Sequence, residues 1–162
     1  MTVEPDELRQ AMRQWTSGVT IVSADHDQVR HGMTVTSFSS VSLEPPLVLV
    51  SLEKQTRTHA LILRSGTYGV TVLAGHHQKI SDRFAGRDTE TDNRFAGLET
   101  HTLVTGSPFL HGYLACLDCR VVAQAPHGNH TIFIGEVIAL QVNVDLHDPL
   151  LYYNQAYRKL QD

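Results

Sequence analysis

Two thirteen-residue stretches of β character, "YLACLDCRVVAQA" from Tyr113 and "TIFIGEVIALQVN" from Thr131, flank the turn "PHGNH". That turn is rich in residues that tolerate unusual φ, so the two stretches read as one long antiparallel hairpin. A second hairpin is signalled by "GVTIVSA" and "VRHGMTVTS" (Val29 to Ser37) around the polar "DHDQ". Long hairpins whose residues face both ways favour a closed or partly closed barrel over a doubly wound sheet. No G-x-G-x-x-G follows a strand, which argues against a Rossmann module. "PLVLVSL" reads as a buried strand, and "TYGVTVL" and "LETHTLVTG" as further β stretches. Short helices are expected over "ELRQAMRQW" ending near Trp15, over "THALILRSG" stopped by Gly66, and over "HHQKISDRFAG" stopped by Gly86. "RDTETDNRFAG" reads as a polar loop. The expected fold is mainly β with short helices, in a single domain over residues 1–162.

The chain is 41% hydrophobic and 19% charged over 162 residues, which suits one globular core. A net charge of -4 and a pI near 6.2 give no large basic field, so neither nucleic acid nor an anionic membrane is an expected partner. No apolar run reaches the ~18 residues of a spanning helix, and the charged N-terminus lacks a secretory signal, so the expected location is cytoplasmic. Cys116 and Cys119 form a C-x-x-C pair, but strand positions three apart face opposite ways and no second pair completes a zinc site. They read as reduced, packed thiols. Ten histidines are present, yet His76 and His77 diverge, and His127 and His130 share a turn without a carboxylate, so no metal is expected.

The segment "GMTVTSFSSVSLEPPLVLVSL" sets Thr34, Thr36, Ser37, Ser39, Ser40 and Ser42 beside the best core strand. These hydroxyls fit either a solvated strand face or contacts to a polar, flat ligand. Adjacent Ser39 and Ser40 break alternation, and Pro45 with Pro46 blocks normal pairing, so the segment leaves regular strand geometry. Lys54, Thr56, Arg57 and Thr58 precede a helix, as either an ordinary cap or a phosphate cradle. Arg83 can reach the same phosphate and Phe84 can flank a ring; the alternative is a helix end with one core aromatic. No nucleophile motif is present, which suits chemistry carried by a cofactor.

Seven motifs in order, "WTSGVTIVS", "GMTVTSFSSVSLEPPLVLVSL", "KQTRTH", "RFAG", "GSPFLHGYLACLDCRV", "GNHTIFIGEV" and "PLLYYNQAYRKL", resemble the flavin reductase-like domain. This family comprises the NAD(P)H-dependent reductase components of two-component flavin monooxygenases. The resemblance runs from Leu8 to Leu160 and implies an FMN-binding split β-barrel, usually a homodimer with flavin near the subunit interface. It implies that Thr34, Thr36, Ser37, Phe38, Ser39 and Ser42 line the isoalloxazine edge. Ser51, Leu52, Lys54, Thr56, Arg57 and Thr58 take the ribityl-phosphate side, with Arg83 and Phe84 near it. His130, Tyr152 and Tyr153 lie where nicotinamide approaches, His130 as a positioning group and not an essential base. The implied reaction is hydride transfer from C4 of NADH or NADPH to N5 of FMN or FAD, the reduced flavin diffusing to a partner monooxygenase. Two alternatives remain open: tightly held FMN acting on another substrate, and a non-catalytic flavin-binding module. Two motifs depart from the family pattern. Gly128-Asn129-His130 stands where Gly-Asp-His is usual, and Tyr153-Asn154-Gln155-Ala156-Tyr157 where Tyr-Arg-Gly-x-Tyr is usual.

Overall fold

The computed structural model describes residues 2–87 and 93–160. Seven antiparallel strands make the main sheet: β1 (Thr20–His26), β2 (Val29–Val35), β3 (Phe38–Ser42), β4 (Leu47–Glu53), β5 (Thr67–Val72), β6 (Ala115–His127) and β7 (His130–Val142). Their spatial order is β2-β1-β5-β6-β7-β4-β3. The two edge strands, β2 and β3, are thus consecutive in the chain, with only Thr36 and Ser37 between them. A sheet whose opposite edges are tied by so short a link has to curl until they lie close together. The edges do not pair, so the result is a split barrel, as expected. The seam is held on one side by Ser37, whose carbonyl accepts from Ser51 N at 3.2 Å and whose hydroxyl donates to Ser51 O at 2.7 Å. On the other side Thr34 Oγ1 donates to Ser81 O at 2.6 Å.

Among the described residues three α-helices decorate the barrel: α1 (Pro5–Met12), α2 (Arg57–Ser65) and α3 (Gln78–Phe84). α1 stops short of Trp15, and Val29–Ser37 is strand only to Val35, because the link leaves ladder geometry. α2 starts at the cap Thr56 and ends at Gly66, whose left-handed φ of 68° costs glycine no strain. A C-terminal hairpin, β8 (Leu151–Tyr153) and β9 (Ala156–Arg158), pairs through β8 with Ser17–Gly18 at the entry to β1. The loop read as "RDTETDNRFAG" lies partly outside the described residues.

Two apolar clusters result. One fills the barrel with Val22, Val35, Val50, Leu52, Tyr68, Val70 and Phe133, and is plugged by Leu61 and Ile62 of α2. The other lies outside β1, where Ile21 meets Phe84, Phe95, Leu110 and Leu150. "PLVLVSL" is buried on one face only: Val48, Val50 and Leu52 turn inward, while Leu47, Leu49 and Ser51 stay half-exposed on the outer face. "LETHTLVTG" yields just a two-residue pairing of Thr100–His101 with Phe109–Leu110. Its remainder is drawn off the ladder by buried Asp118, which accepts from Val104 N at 2.7 Å and Thr105 N at 2.8 Å. Cys119 joins the barrel cluster, whereas Cys116 faces the other way; both are free, and burial pushes each thiol up to about 12.

Tyr68 is fully buried and its ring lies across Gly135 of β7, where an added Cβ would come within 2.4 Å of the phenol oxygen. Gly135→Ala therefore has to displace a core tyrosine. It is expected to lower unfolding stability by ~1–3 kcal/mol, read from the urea midpoint. A wild-type midpoint would show that Tyr68 has room to move.

Candidate active site

The irregular link between β2 and β3 opens onto a cleft of about 580 Å³. Thr36, Ser37, Phe38 and Ser39 form one wall, with Leu49 and Ser51 of β4 and Ile132 of β7 beside them. The opposite wall is the N-terminal arm, Met12 to Ser17, together with Tyr152, Asn154 and Gln155 of the β8–β9 hairpin. Thr36 and Tyr152 also line an adjoining pocket of about 190 Å³ bounded by Thr34, Ser81, Arg87 and Tyr157. A hollow of about 670 Å³ lies elsewhere, by Gly75, Leu150 and Lys159, and contains none of the hydroxyl segment.

Of the residues singled out from sequence, the structure gathers Thr34, Thr36, Ser37, Phe38, Ser39, Ser51 and Tyr152 along these two connected pockets. Tyr153 lines the separate hollow, and its hydroxyl donates to Gln14 Oε1 at 3.1 Å. Ser42 sits at the far end of β3, paired with Leu47, and lines neither pocket. Leu52 and Thr58 turn their side chains into the interior.

Phe84 corrects the expectation that it flanks a ring. It is 0% exposed, packed edge-on against Phe95 with centroids 4.9 Å apart, and a Cβ on Gly32 would lie 2.9 Å from its ring. Arg83 is drawn to the 93–97 turn, donating through Nη2 to Ala96 O at 2.7 Å and Asn93 O at 3.3 Å. Lys54 Nζ donates to Gly128 O at 2.7 Å, which ties the start of α2 to the β6–β7 turn. Thr56 caps α2 and Arg57 is exposed on its first turn. His130 opens β7 opposite Glu53, with its Nδ1 2.8 Å from Asn129 Oδ1. It lies two residues from Ile132, on the same strand face, about 7 Å along β7 from the cleft.

Beneath α2 the interior is polar but paired. His31 Nδ1 lies 2.8 Å from Thr58 Oγ1, and His59 Nε2 lies 2.9 Å from Thr131 Oγ1. Burial, reinforced by Arg94 and Arg57, holds His31 down to about 4; burial and then Lys54 hold His59 below the usual range. Both imidazoles are neutral at pH 7, so the helix start rests on uncharged groups.

Sequence reasoning did not find Arg13, Trp15, Arg87, Asn154 or Gln155 in the pocket walls. Arg87 lies within the polar loop reading, yet it donates to Asp82 Oδ1 at 2.7 Å and to Tyr152 OH at 3.4 Å. Tyr157 OH meets Ser81 Oγ at 2.9 Å and Asp82 Oδ1 at 3.0 Å. Together they latch the C-terminal hairpin to α3. The available sequence signal was the one tryptophan, Trp15, at the end of a charged arm, which the structure leaves 71% exposed.

A family model, described as the flavin reductase like domain, matches residues 12–161. The chain belongs to the flavin reductase-like domain family. It is accordingly an oxidoreductase that acts on flavin. Among similar proteins is an NADH-dependent flavin reductase of Rhodococcus sp, 43% identical over 163 residues, covering 98% of this chain and 88% of that one. Another is the reductase component of the FADH(2)-dependent resorcinol hydroxylase of Rhizobium sp. (strain MTP-10005), 39% identical over 153 residues, 93% of this chain and 84% of that one. Among solved structures, the NADH:FAD oxidoreductase SgcE6 of Streptomyces globisporus C-1027, in complex with NAD and FAD fragments, superposes with a TM-score of 0.89. It is 30% identical, and the match covers 99% of this chain and 97% of that one.

The neutral buried histidines make stability depend on pH. Unfolded His31 takes up its proton near 6.5 and folded His31 only near 4, so the unfolded state binds more protons between those values. Stability is therefore full above pH 6.5 and falls as pH drops toward 4. By pH 5 the loss from this one group is about 2 kcal/mol. His31→Gln is expected to flatten the decline between pH 7 and 5 in urea titrations; an unchanged slope would remove His31 as its source.

Proposed function

We propose that flavin binds along the Thr36–Ser39 link, takes hydride from NADH and leaves reduced to serve a separate monooxygenase. The observation that carries this reading is the make-up of the cleft. Hydroxyls and main-chain groups of an irregular link, with Phe38, Leu49 and Ile132 beside them, face Tyr152 across one cavity. That donor set fits a flat heteroaromatic ring with polar edges. Next to Ser51, the start of α2 fits the phosphate end. Thr56 satisfies His59 N, which leaves the N–H groups of Arg57 and Thr58 without helical acceptors beside the exposed Arg57 guanidinium.

Bound flavin would supply the hydride acceptor, N5, toward C4 of the nicotinamide. The chain's own residues orient and enclose. Thr36, Ser37 and Ser39 supply donors and acceptors in plane, Phe38 and Ile132 exclude water, and His130 at the rim positions the nicotinamide without moving a proton. NADH is the proposed donor because the Rhodococcus relative and SgcE6 carry NADH in their names. FMN and FAD both suit the residues present. A partner monooxygenase is supported by the kinship with the resorcinol hydroxylase reductase component. A homodimer is supported by exposed apolar side chains on and beside β3, with Val41 at 46% and Leu43 at 88% exposure. Among the described residues no helix is long and apolar enough to cross a membrane.

Steady-state oxidation of NADH and NADPH with FMN, FAD and riboflavin tests the reading. Oxidation of NADH that depends on added flavin is expected; no turnover with any flavin would overturn it. Arg57→Ala is expected to weaken FMN by about tenfold or more while sparing riboflavin, since a charge-assisted bond contributes ~1.5–3 kcal/mol. Equal losses in parallel titrations would move the phosphate elsewhere. His130→Asn is expected to raise the KM for NADH or slow flavin reduction ~10-fold, about 1.4 kcal/mol, with flavin affinity unchanged. Unaltered stopped-flow reduction would reduce His130 to a turn residue.

A further inference from the structure

Arg13 lines the cleft but is not needed by the core. It caps the C-terminal end of α1, a helix with no buried residue. The arm is held instead by tethers to the β8–β9 turn. Asn154 N donates to Arg13 O at 3.0 Å, and Tyr153 OH donates to Gln14 Oε1 at 3.1 Å. With the Gln155 amide oriented to satisfy both groups, its oxygen accepts from Arg13 Nε at 2.6 Å and Nη2 at 2.5 Å. The turn that presents this amide has Asn154 at φ 46° and Gln155 at φ 62°. Asparagine tolerates that left-handed region well; glutamine does so less readily. An unfavourable turn residue is thus spent on holding one guanidinium against the cleft.

Charge decides what the guanidinium is for. Among the described residues the cleft wall carries two charged side chains, Arg9 and Arg13, and no carboxylate. Arg9 is ion-paired with Asp6. Arg13 meets a neutral amide, so its full charge remains on the cleft wall, and Nη1 has no partner among the described residues. A planar fork with one edge fixed and the other free is preorganised for an oxyanion. The ligand anions of this reaction are nucleotide phosphates, of flavin or of the dinucleotide. Arg57, the proposed station for the flavin phosphate, lies outside this lining, so the two cations mark separate phosphate positions.

We propose that Arg13, held in place by Gln155, binds the diphosphate of the nicotinamide dinucleotide; this rests on the oxidoreductase reading above. The test is calorimetric titration with ADP-ribose, adenosine, FMN and riboflavin of the wild type, Arg13→Gln, Arg13→Lys and Gln155→Ala. Arg13→Gln is expected to weaken ADP-ribose about tenfold, with adenosine and both flavins unchanged. Arg13→Lys falls between, since it keeps the charge and loses the fork. Gln155→Ala shows a smaller loss in the same direction. Thermal unfolding of all three stays near wild type, because α1 buries nothing. Equal ADP-ribose affinity in Arg13→Gln, or no saturable binding of ADP-ribose to the wild type, overturns the proposal. A loss confined to FMN relative to riboflavin also overturns it, by assigning the cation to the flavin phosphate. If Arg13-dependent ADP-ribose binding is intact but NADH is not oxidised with any flavin, the oxidoreductase reading fails and the diphosphate site stands.

Discussion

The architecture depends on one topological constraint: the two edges of a seven-stranded sheet are joined by two residues, Thr36 and Ser37. The tie forces the sheet to curl, while its two edge strands, β2 and β3, stay unpaired with each other. A seam therefore exists where main-chain and hydroxyl groups are released from the ladder yet remain anchored, through Ser37 to β4 and through Thr34 to α3. Polar groups so placed need partners, and the cleft at the seam is where a ligand can provide them. Curling of the sheet and creation of the cleft wall are the same event.

Two appendages complete what the seam begins. The N-terminal arm contributes no buried residue, and the β8–β9 hairpin is short, yet each holds the other against the open side of the cleft. The hairpin is in turn latched to α3 through Tyr157, Asp82, Arg87 and Tyr152. The hairpin also packs Tyr152 and Tyr157 against the outer apolar cluster, whereas the arm is held by exposed hydrogen bonds alone, so the arm is the most lightly held part of the cleft wall. The cleft proposed for flavin thus has one rigid wall and one more lightly tethered wall, an arrangement suited to uptake and release of a ligand.

Local patterns were legible where local physics decides them. A cap hydroxyl at Thr56 or Thr58 and the stop at Gly66 were legible for α2, because both act within a few residues; the structure puts the cap at Thr56. The long hairpin was legible from its turn, with Gly128 at φ 54°. Misreadings arose where a distant residue intervened. "LETHTLVTG" lost its strand character to Asp118, and Phe84 turned away from any ligand because Gly32 leaves room for its ring. "PLVLVSL" reads as a buried strand yet is buried on its inner face alone, since an apolar run does not say whether its outer face meets core, cleft or solvent.

From the sequence alone came the fold class, the hydroxyl-rich segment and the start of α2 as candidate ligand contacts and, through ordered motifs, the family. These are properties of contiguous residues, and each motif keeps its neighbours with it. Only the tertiary structure decided which of those residues share one cavity, that Ser42, Leu52 and Phe84 do not, and that Arg13 and Gln155 do. The reason is the closure itself. Residues near 13, 37, 51, 132 and 155 become neighbours only once the sheet has curled and the two chain ends are drawn across its seam.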